Sequence, residues 1–315
     1  MSRDHRERLL GVFQQPPRTP ELVPGLVSIV TPCLNSARFI RATIESVAAQ
    51  DYPRIEHIVV DGGSTDATLE ILARCPGLTV LTGRDRGAAE AINRGFRRAR
   101  GEFFTYLNSD DMLLPGAISA AVKALEDAPD AAGVYGDASW IDEQGATIGP
   151  YPVRDFDPKL LESECFICQP ASLVRSSAFE NAGMLNPAFD VTFDYEFWMR
   201  LVRVGTLKRI RVPLALSRMH GANKSLGQRP AVFAETFRVL RLHYAYVPFR
   251  WIYASECYRA DGRDQFFLPP ERSIRSYLKS LPAGLSVNPN ARLRFALEWL
   301  RFLSLRRFRG YLQDS

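Results

Sequence analysis

The chain has 315 residues, 46% hydrophobic and 24% charged, a balance that excludes a disordered polymer and allows one large domain or two smaller ones. Its net charge of +5 comes mostly from arginine, which suits acidic ligands such as phosphate or anionic lipid and falls short of a nucleic-acid footprint. No apolar run reaches the roughly 18 residues of a membrane span. Met1 to Glu21 is charged and contains proline, unlike a signal peptide. The five cysteines are scattered, and Cys165-x-x-Cys168 has no second pair at metal spacing, so reduced thiols in a cytoplasmic protein are expected rather than zinc.

Residues 1 to about 25 read as a lead-in. Leu26 to Val30 is the first predicted strand, left by Thr31-Pro32-Cys33-Leu34-Asn35. Ser36 can cap a helix in which Phe39, Ile40, Thr43, Ile44 and Val47 recur at helical spacing. Ile55 to Val60 is a second strand ending in Asp61-Gly62-Gly63-Ser64-Thr65-Asp66, followed by a helix through Leu69, Ile71 and Leu72. Leu78 to Leu81 is a third strand and Ala88 to Arg100 a helix. This alternation predicts a mostly parallel, Rossmann-like sheet with flanking helices. Further on come a helix from about Pro115, a strand at Gly133 to Gly136 and a hairpin around Glu143-Gln144-Gly145. Strand material around Gln169-Pro170 and a helix opened by Phe193-Asp194 follow, then two short strands, Leu207 to Val212 and Leu214 to Met219. Beyond residue 230 the patterns are helical, Arg-rich and aromatic, giving a division into 1–25, 26–225 and 226–315.

The stretch with the clearest chemistry is Phe103 to Asp111. An aromatic, β-branched strand runs into Leu107-Asn108-Ser109-Asp110-Asp111, placing two adjacent acids beyond the carboxyl edge of the sheet, where open α/β sheets bind ligands. Neighbouring carboxylates repel unless a cation or polar ligand neutralises them, and a hard divalent ion carrying phosphate suits such a site. The alternative is a solvated turn capping the next helix. Asp61 can accept an imide N–H from a uracil-like base, or be a turn residue; Asp66 reads as a helix cap.

Four stretches occur in order: Thr31 to Asn35, Asp61 to Asp66, Asp85-Arg86-Gly87 through Asn93-Arg94-Gly95 to Gly101-Glu102, and Leu107 to Asp111. Together they resemble the family 2 glycosyltransferases, inverting enzymes of the GT-A fold that use nucleotide-sugar donors. The resemblance covers about residues 26 to 220. It implies donor contacts at Thr31, Asp61, Asp85 and Asp110, a Mg²⁺ or Mn²⁺ ion with Asp111 as the direct ligand, and His220 as a second metal ligand or a structural histidine. It places the catalytic base at Asp194, within Phe193-Asp194-Tyr195-Glu196-Phe197-Trp198-Met199-Arg200-Leu201, and Gln169 on the acceptor side. An apolar neighbour such as Phe193 raises the pKa of a buried carboxyl, which suits a base. Glu196 is the nearest rival, but two residues along a helix it points about 200° away.

Two departures stand out: Phe193 replaces the acid that usually precedes the base, and Leu34 stands where an aromatic often faces the nucleobase. The implied partners are a UDP- or dTDP-sugar and a saccharide or lipid-linked saccharide. The rivals are a sugar nucleotidyltransferase, whose Gly-rich basic loop Ser28 to Ser36 lacks, and a non-catalytic saccharide-binding module, which would tolerate loss of the acids. Finally, Arg292 to Arg309 holds six arginines and one acid among leucines and aromatics, with Phe295, Trp299, Phe302 and Leu303 on one face and Leu297, Leu300 and Leu305 widening that stripe. It reads either as a helix packed on the catalytic domain or as an interfacial helix on anionic lipid at the inner face of the membrane.

Overall fold

The computed structural model describes residues 21–262 and 273–302. The described chain divides into two compact units: one runs to Asp157 and resumes over Phe166–Met219, the other combines Pro158–Cys165 with the residues from His220 onward.

The first unit is built on one mixed sheet. Its strands are β1 (Val23–Cys33), β2 (Ile55–Asp61), β3 (Leu78–Thr82), β4 (Gly101–Tyr106), β5 (Met112–Leu113), β6 (Ala131–Ile141), β7 (Thr147–Pro150), β8 (Ser172–Arg175) and β9 (Thr206–Arg218). They lie in the order β3-β2-β1-β4-β8-β6-β9-β5, with β7 on β6. β1 is parallel to both β2 and β4, so the chain runs outward on one side of β1 and then returns to its other side. That reversal is the switch point at which open sheets leave a crevice beyond their carboxyl ends. Past β4 the pairing turns antiparallel through β8 to β6, and β9 then runs parallel to β6.

Helices α1 (Ile40–Ala48), α2 (Thr68–Ala73), α3 (Ala88–Arg98) and α4 (Ala117–Glu126) connect these strands, and α5 (Ser176–Ala182) and α6 (Phe193–Leu201) follow β8. Strand alternation divides the core between the two faces. Phe103 packs with Ile118, Val122 and Leu125. Phe104, its neighbour, joins an aromatic cluster in which its ring lies 4.7 Å from Phe96 and 5.7 Å from Phe179, with Phe197 4.8 Å beyond Phe179. Burying each such ring contributes about 1.5–3 kcal/mol, so the acid-bearing loop leaves a rigid strand.

Two expectations change. Residues 206–218 form one strand rather than two; Pro213 cannot donate to the ladder, and register shifts on either side of its partner Asp137 absorb the break. Ser36 does not cap α1 with its hydroxyl. Its carbonyl accepts the Phe39 and Ile40 amides at 3.1 and 3.0 Å, and the hydroxyl turns to Ser109 at 2.8 Å.

His57, inside β2, is buried against β1, with Nε2 2.8 Å from the Thr31 hydroxyl. Burial pushes its pKa down from 6.5 to about 4. Between those values the unfolded chain binds a proton that the folded chain does not, so this contribution to stability is complete above about pH 6.5 and is lost as pH falls toward 4, at up to about 1.4 kcal/mol per pH unit. The melting temperature is therefore expected to fall more steeply across that window in the wild type than in His57→Gln. Equal slopes would show that other groups carry the acid sensitivity.

The second unit is helical: α7 (Lys224–Gly227), α8 (Arg229–Tyr244), α9 (Phe249–Asp261), α10 (Ile274–Val287) and α11 (Arg292–Phe302). No described helix is long and apolar enough to cross a membrane.

Candidate active site

The loops after β1 and β2 are laced together. Asn35, at φ 51°, adopts the left-handed conformation that asparagine tolerates better than most residues. Its amide donates to Ser64 Oγ at 2.8 Å, and its Oδ1 accepts the Thr65 amide at 2.8 Å. Asp66 accepts the Ala37 amide at 3.1 Å and the Thr68 amide at 3.0 Å, so it ties the loop after β1 to the first residue of α2, whose N-cap position is Ala67.

Asp61 is fully buried and accepts the amides of Gly63 and Ser64, each at 3.1 Å, together with the Ser64 hydroxyl. As placed it builds its turn. Burial and then the Asp61 charge push the adjacent Cys33 thiol up to about 12, so it stays protonated. The Thr31 hydroxyl is likewise turned into the sheet, against His57. Asp85 is half-buried, accepts the Gly87 amide at 3.0 Å and lies over Gly62, where a Cβ would come within 2.7 Å of its Oδ2. Only glycine at position 62 leaves that carboxylate its place.

The acid loop departs beside β1, where Leu107 N donates to Val30 O at 2.9 Å. Asp111 is 3% exposed, and its two oxygens accept Arg218 N at 2.9 Å and Asn108 Nδ2 at 3.0 Å. Burial, then the charge of Asp110, pushes its carboxyl above the usual carboxylate range. Asp111 thus points into protein donors, while Asp110 beside it is half-buried.

Arg218, unnoticed in the sequence, organises this loop. Its Nε donates to Asp110 O at 3.0 Å, one terminal nitrogen donates to Asp142 O at 2.8 Å and Glu143 O at 3.2 Å, and its guanidinium lies 4.8 Å from the Phe39 ring centroid. Thr43 adds a hydroxyl to Asp111 O at 2.8 Å. The only sequence signal was the neighbourhood of Met219-His220. His220 itself is half-buried and opens the second unit.

Among the described residues no three His, Cys, Asp or Glu side chains form a metal cluster. Mg²⁺ and Mn²⁺ suit one or two carboxylate oxygens with water and phosphate completing the shell, and the half-buried carboxylate of Asp110 is of that chemistry.

Helix α6 starts where the sequence expects it, with Thr192 before Phe193. Phe193 is buried with its ring centroid 6.1 Å from that of Tyr106, the last residue of β4. Asp194 is half-buried in the first helical turn, its Oδ1 accepting Tyr195 N at 2.7 Å. Gln169 reaches the same point from the other side: its Nε2 donates to Tyr106 O at 2.6 Å, and its buried Oε1 has no partner. The strand end before the acid loop is therefore shared by the helix of Asp194 and by Gln169.

Glu196 is not available as a base. It is fully buried and paired with Arg200 at 2.8 Å, and Arg200 also donates to the carbonyls of Gly183 and Met184 at 2.6 and 2.9 Å. Glu196→Ala leaves that guanidinium buried without its counter-charge, and a loss of about 3–5 kcal/mol in denaturant unfolding is expected. A loss under about 1 kcal/mol would contradict this structural role.

The family model described as Glycosyl transferase family 2 matches residues 28–183. An uncharacterized glycosyltransferase of Mycobacterium tuberculosis, MT1564, is 31% identical over 228 residues, covering 70% of this chain and 85% of that protein. Chondroitin synthase of Escherichia coli is 29% identical over 206 residues, 64% of this chain and 30% of that protein. The chain spans about a third, 35%, of the length of the first curated relatives that it matches. Among solved structures, S. aureus TarS 1–349 in complex with UDP superposes with a TM-score of 0.58 at 15% identity, over 92% of this chain and 90% of that one. Mannosyltransferase PcManGT from Pyrobaculum calidifontis, in complex with GDP-Man and Mn²⁺, gives 0.55 at 17% identity, over 98% and 90%. At these identities the two structures speak for the fold.

Proposed function

The chain belongs to glycosyltransferase family 2 and has the GT-A architecture, and from that premise we propose a metal-dependent inverting enzyme that moves a sugar from a nucleotide diphosphate to an acceptor hydroxyl in the assembly of surface polysaccharide or glycolipid. One observation carries the reading: the half-buried acids Asp110 and Asp194 flank the end of β4, one on the loop that leaves it and one on the helix docked against Tyr106. An acid beside the leaving group and an acid beside the acceptor is what a single displacement requires.

Asp194 takes the proton of the acceptor hydroxyl as its oxygen forms a bond to the anomeric carbon. The bond from that carbon to the diphosphate oxygen breaks on the opposite face, and the configuration inverts. Asp110 would hold Mg²⁺ or Mn²⁺, which when bound neutralises the diphosphate charge. Asp111 holds the loop instead, fixed by Arg218. Asp85 lines the donor side, and the unpartnered oxygen of Gln169 suits an acceptor hydroxyl. The complexes of TarS with UDP and of PcManGT with GDP-Man and Mn²⁺ support a nucleotide-sugar donor of this class.

The test is calorimetry with UDP-, dTDP- and GDP-sugars with Mn²⁺ and with EDTA, followed by sugar release and transfer assays. Metal-dependent binding with sugar release is expected for at least one donor. Formation of a nucleotide sugar from NTP and sugar phosphate would select a nucleotidyltransferase, and saccharide binding without turnover a binding module.

A further inference from the structure

In the second unit α10 and α11 pack antiparallel through one aromatic seam. Phe295 is fully buried against Gly284, where a Cβ would lie within 1.9 Å of its ring, and the Trp299 ring centroid is 4.4 Å from that of Tyr277. Phe302 closes the seam 4.6 Å from Phe249. This consumes the aromatic face of α11. About half a turn away, Leu293, Leu297 and Leu300 form a second ridge at i, i+4 and i+7, and they are 75%, 46% and 54% exposed. On α10, Ile274 and Leu278 stand 79% and 58% exposed at the end of the pair nearest Trp299 and Leu300. Leaving five large apolar side chains in water on two neighbouring helices is a cost that an isolated soluble unit would not need to bear.

The charge around these ridges says what covers them. Residues 273–302 hold Arg275, Lys279, Arg292, Arg294 and Arg301 against one acid, Glu298, whose carboxylate is occupied by the Tyr246 hydroxyl. Arg294 is used internally, lying 3.6 Å from the Tyr246 ring centroid and 2.6 Å from Glu162. Arg275, Lys279 and Arg292 are exposed beside the apolar ridges. A second copy would set one cationic face against another, because a two-fold interface pairs a patch with itself. A surface that is apolar within and anionic above satisfies both features at once.

We propose that α10 and α11 form a docking surface for an anionic lipid bilayer, with Leu293, Leu297, Leu300, Ile274 and Leu278 entering the acyl boundary and the flanking cations meeting headgroup phosphates. This holds whatever donor the first unit uses, so it stands or falls apart from the catalytic reading. Each cation near such a membrane changes partitioning by about five-fold, and each buried leucine adds a comparable or larger factor.

The experiment is flotation of the full chain with vesicles of phosphatidylcholine alone or mixed with phosphatidylglycerol. At least ten-fold more protein is expected to float with the anionic vesicles, and high salt should release it. Leu293→Ser/Leu297→Ser/Leu300→Ser and Arg275→Gln/Lys279→Gln/Arg292→Gln should each remove at least ten-fold of that binding, with an unchanged melting temperature. No preference for anionic vesicles, or flotation indifferent to both triple variants, would overturn the proposal. So would a concentration-dependent dimer in sedimentation that the serine variant abolishes, which would assign the surface to a second copy.

Discussion

Asp194→Asn is expected to lower sugar transfer by about 10²–10⁴-fold, the range that a positioned general base supplies, while donor affinity stays within about two-fold. The substitution is close to isosteric. An asparagine oxygen can still accept Tyr195 N, the contact made now by Oδ1 at 2.7 Å, and Phe193 still docks on Tyr106. What disappears is the basic oxygen, so turnover should fall without a change in melting temperature. Glu196 cannot substitute, because its carboxylate is buried in the pair with Arg200. Single-turnover transfer together with donor calorimetry makes the measurement. Near-wild-type turnover would remove Asp194 from the base position. A matching loss of donor affinity would mean that this residue holds the nucleotide sugar instead.

How far the sequence reached depends on what kind of information each feature needs. Strand ends and helix starts are local, and they were legible: apolar runs stopping at Asn, Asp or Gly located β1, β2 and β4, and Phe193–Leu201 is the helix expected. β5 has two residues and carries no periodicity. The direction of a side chain at a strand end is not local either. Thr31 and Asp61 each carry a polar group that a ligand could use, and neighbours on β2 and in the next turn claimed both. The same holds for Asp110 and Asp111. Adjacent in sequence, they become distinct only because Arg218, more than 100 residues later, donates its amide to the second. Arg218 was itself hidden for that reason: its contacts reach three carbonyls, a carboxylate, a ring and a sulfur, and no motif encodes carbonyl partners. The C-terminal helix shows the converse. Its aromatic face was visible as a stripe, but that the leucines form a separate uncovered ridge depends on which face α10 takes. Residues 303–309 of that stretch lie outside the described residues.

The second large effect separates the two acids. Asp110→Ala is expected to reduce Mn²⁺-dependent nucleotide binding by at least ten-fold with little change in stability, since its half-buried carboxylate is read as the ligand. Asp111→Ala should behave differently. It strips acceptors from Arg218 N and Asn108 Nδ2 in a buried position, at about 1–3 kcal/mol for each donor left unpaired, and it frees the loop that carries Asp110. Its loss of metal binding should therefore come with a lower melting temperature. Arg218→Lys provides the third arm, for a lysine keeps the charge and the backbone amide but cannot span Asp110 O and Asp142 O together. Intermediate losses of both metal affinity and stability are expected from it. Metal titration by calorimetry or by Mn²⁺ spin resonance, set beside thermal melts of all three variants, reads both quantities. If Asp111→Ala lost the metal at unchanged stability while Asp110→Ala kept it, the second acid would be the ligand, and the inward geometry of its carboxylate would have to open on binding the ion.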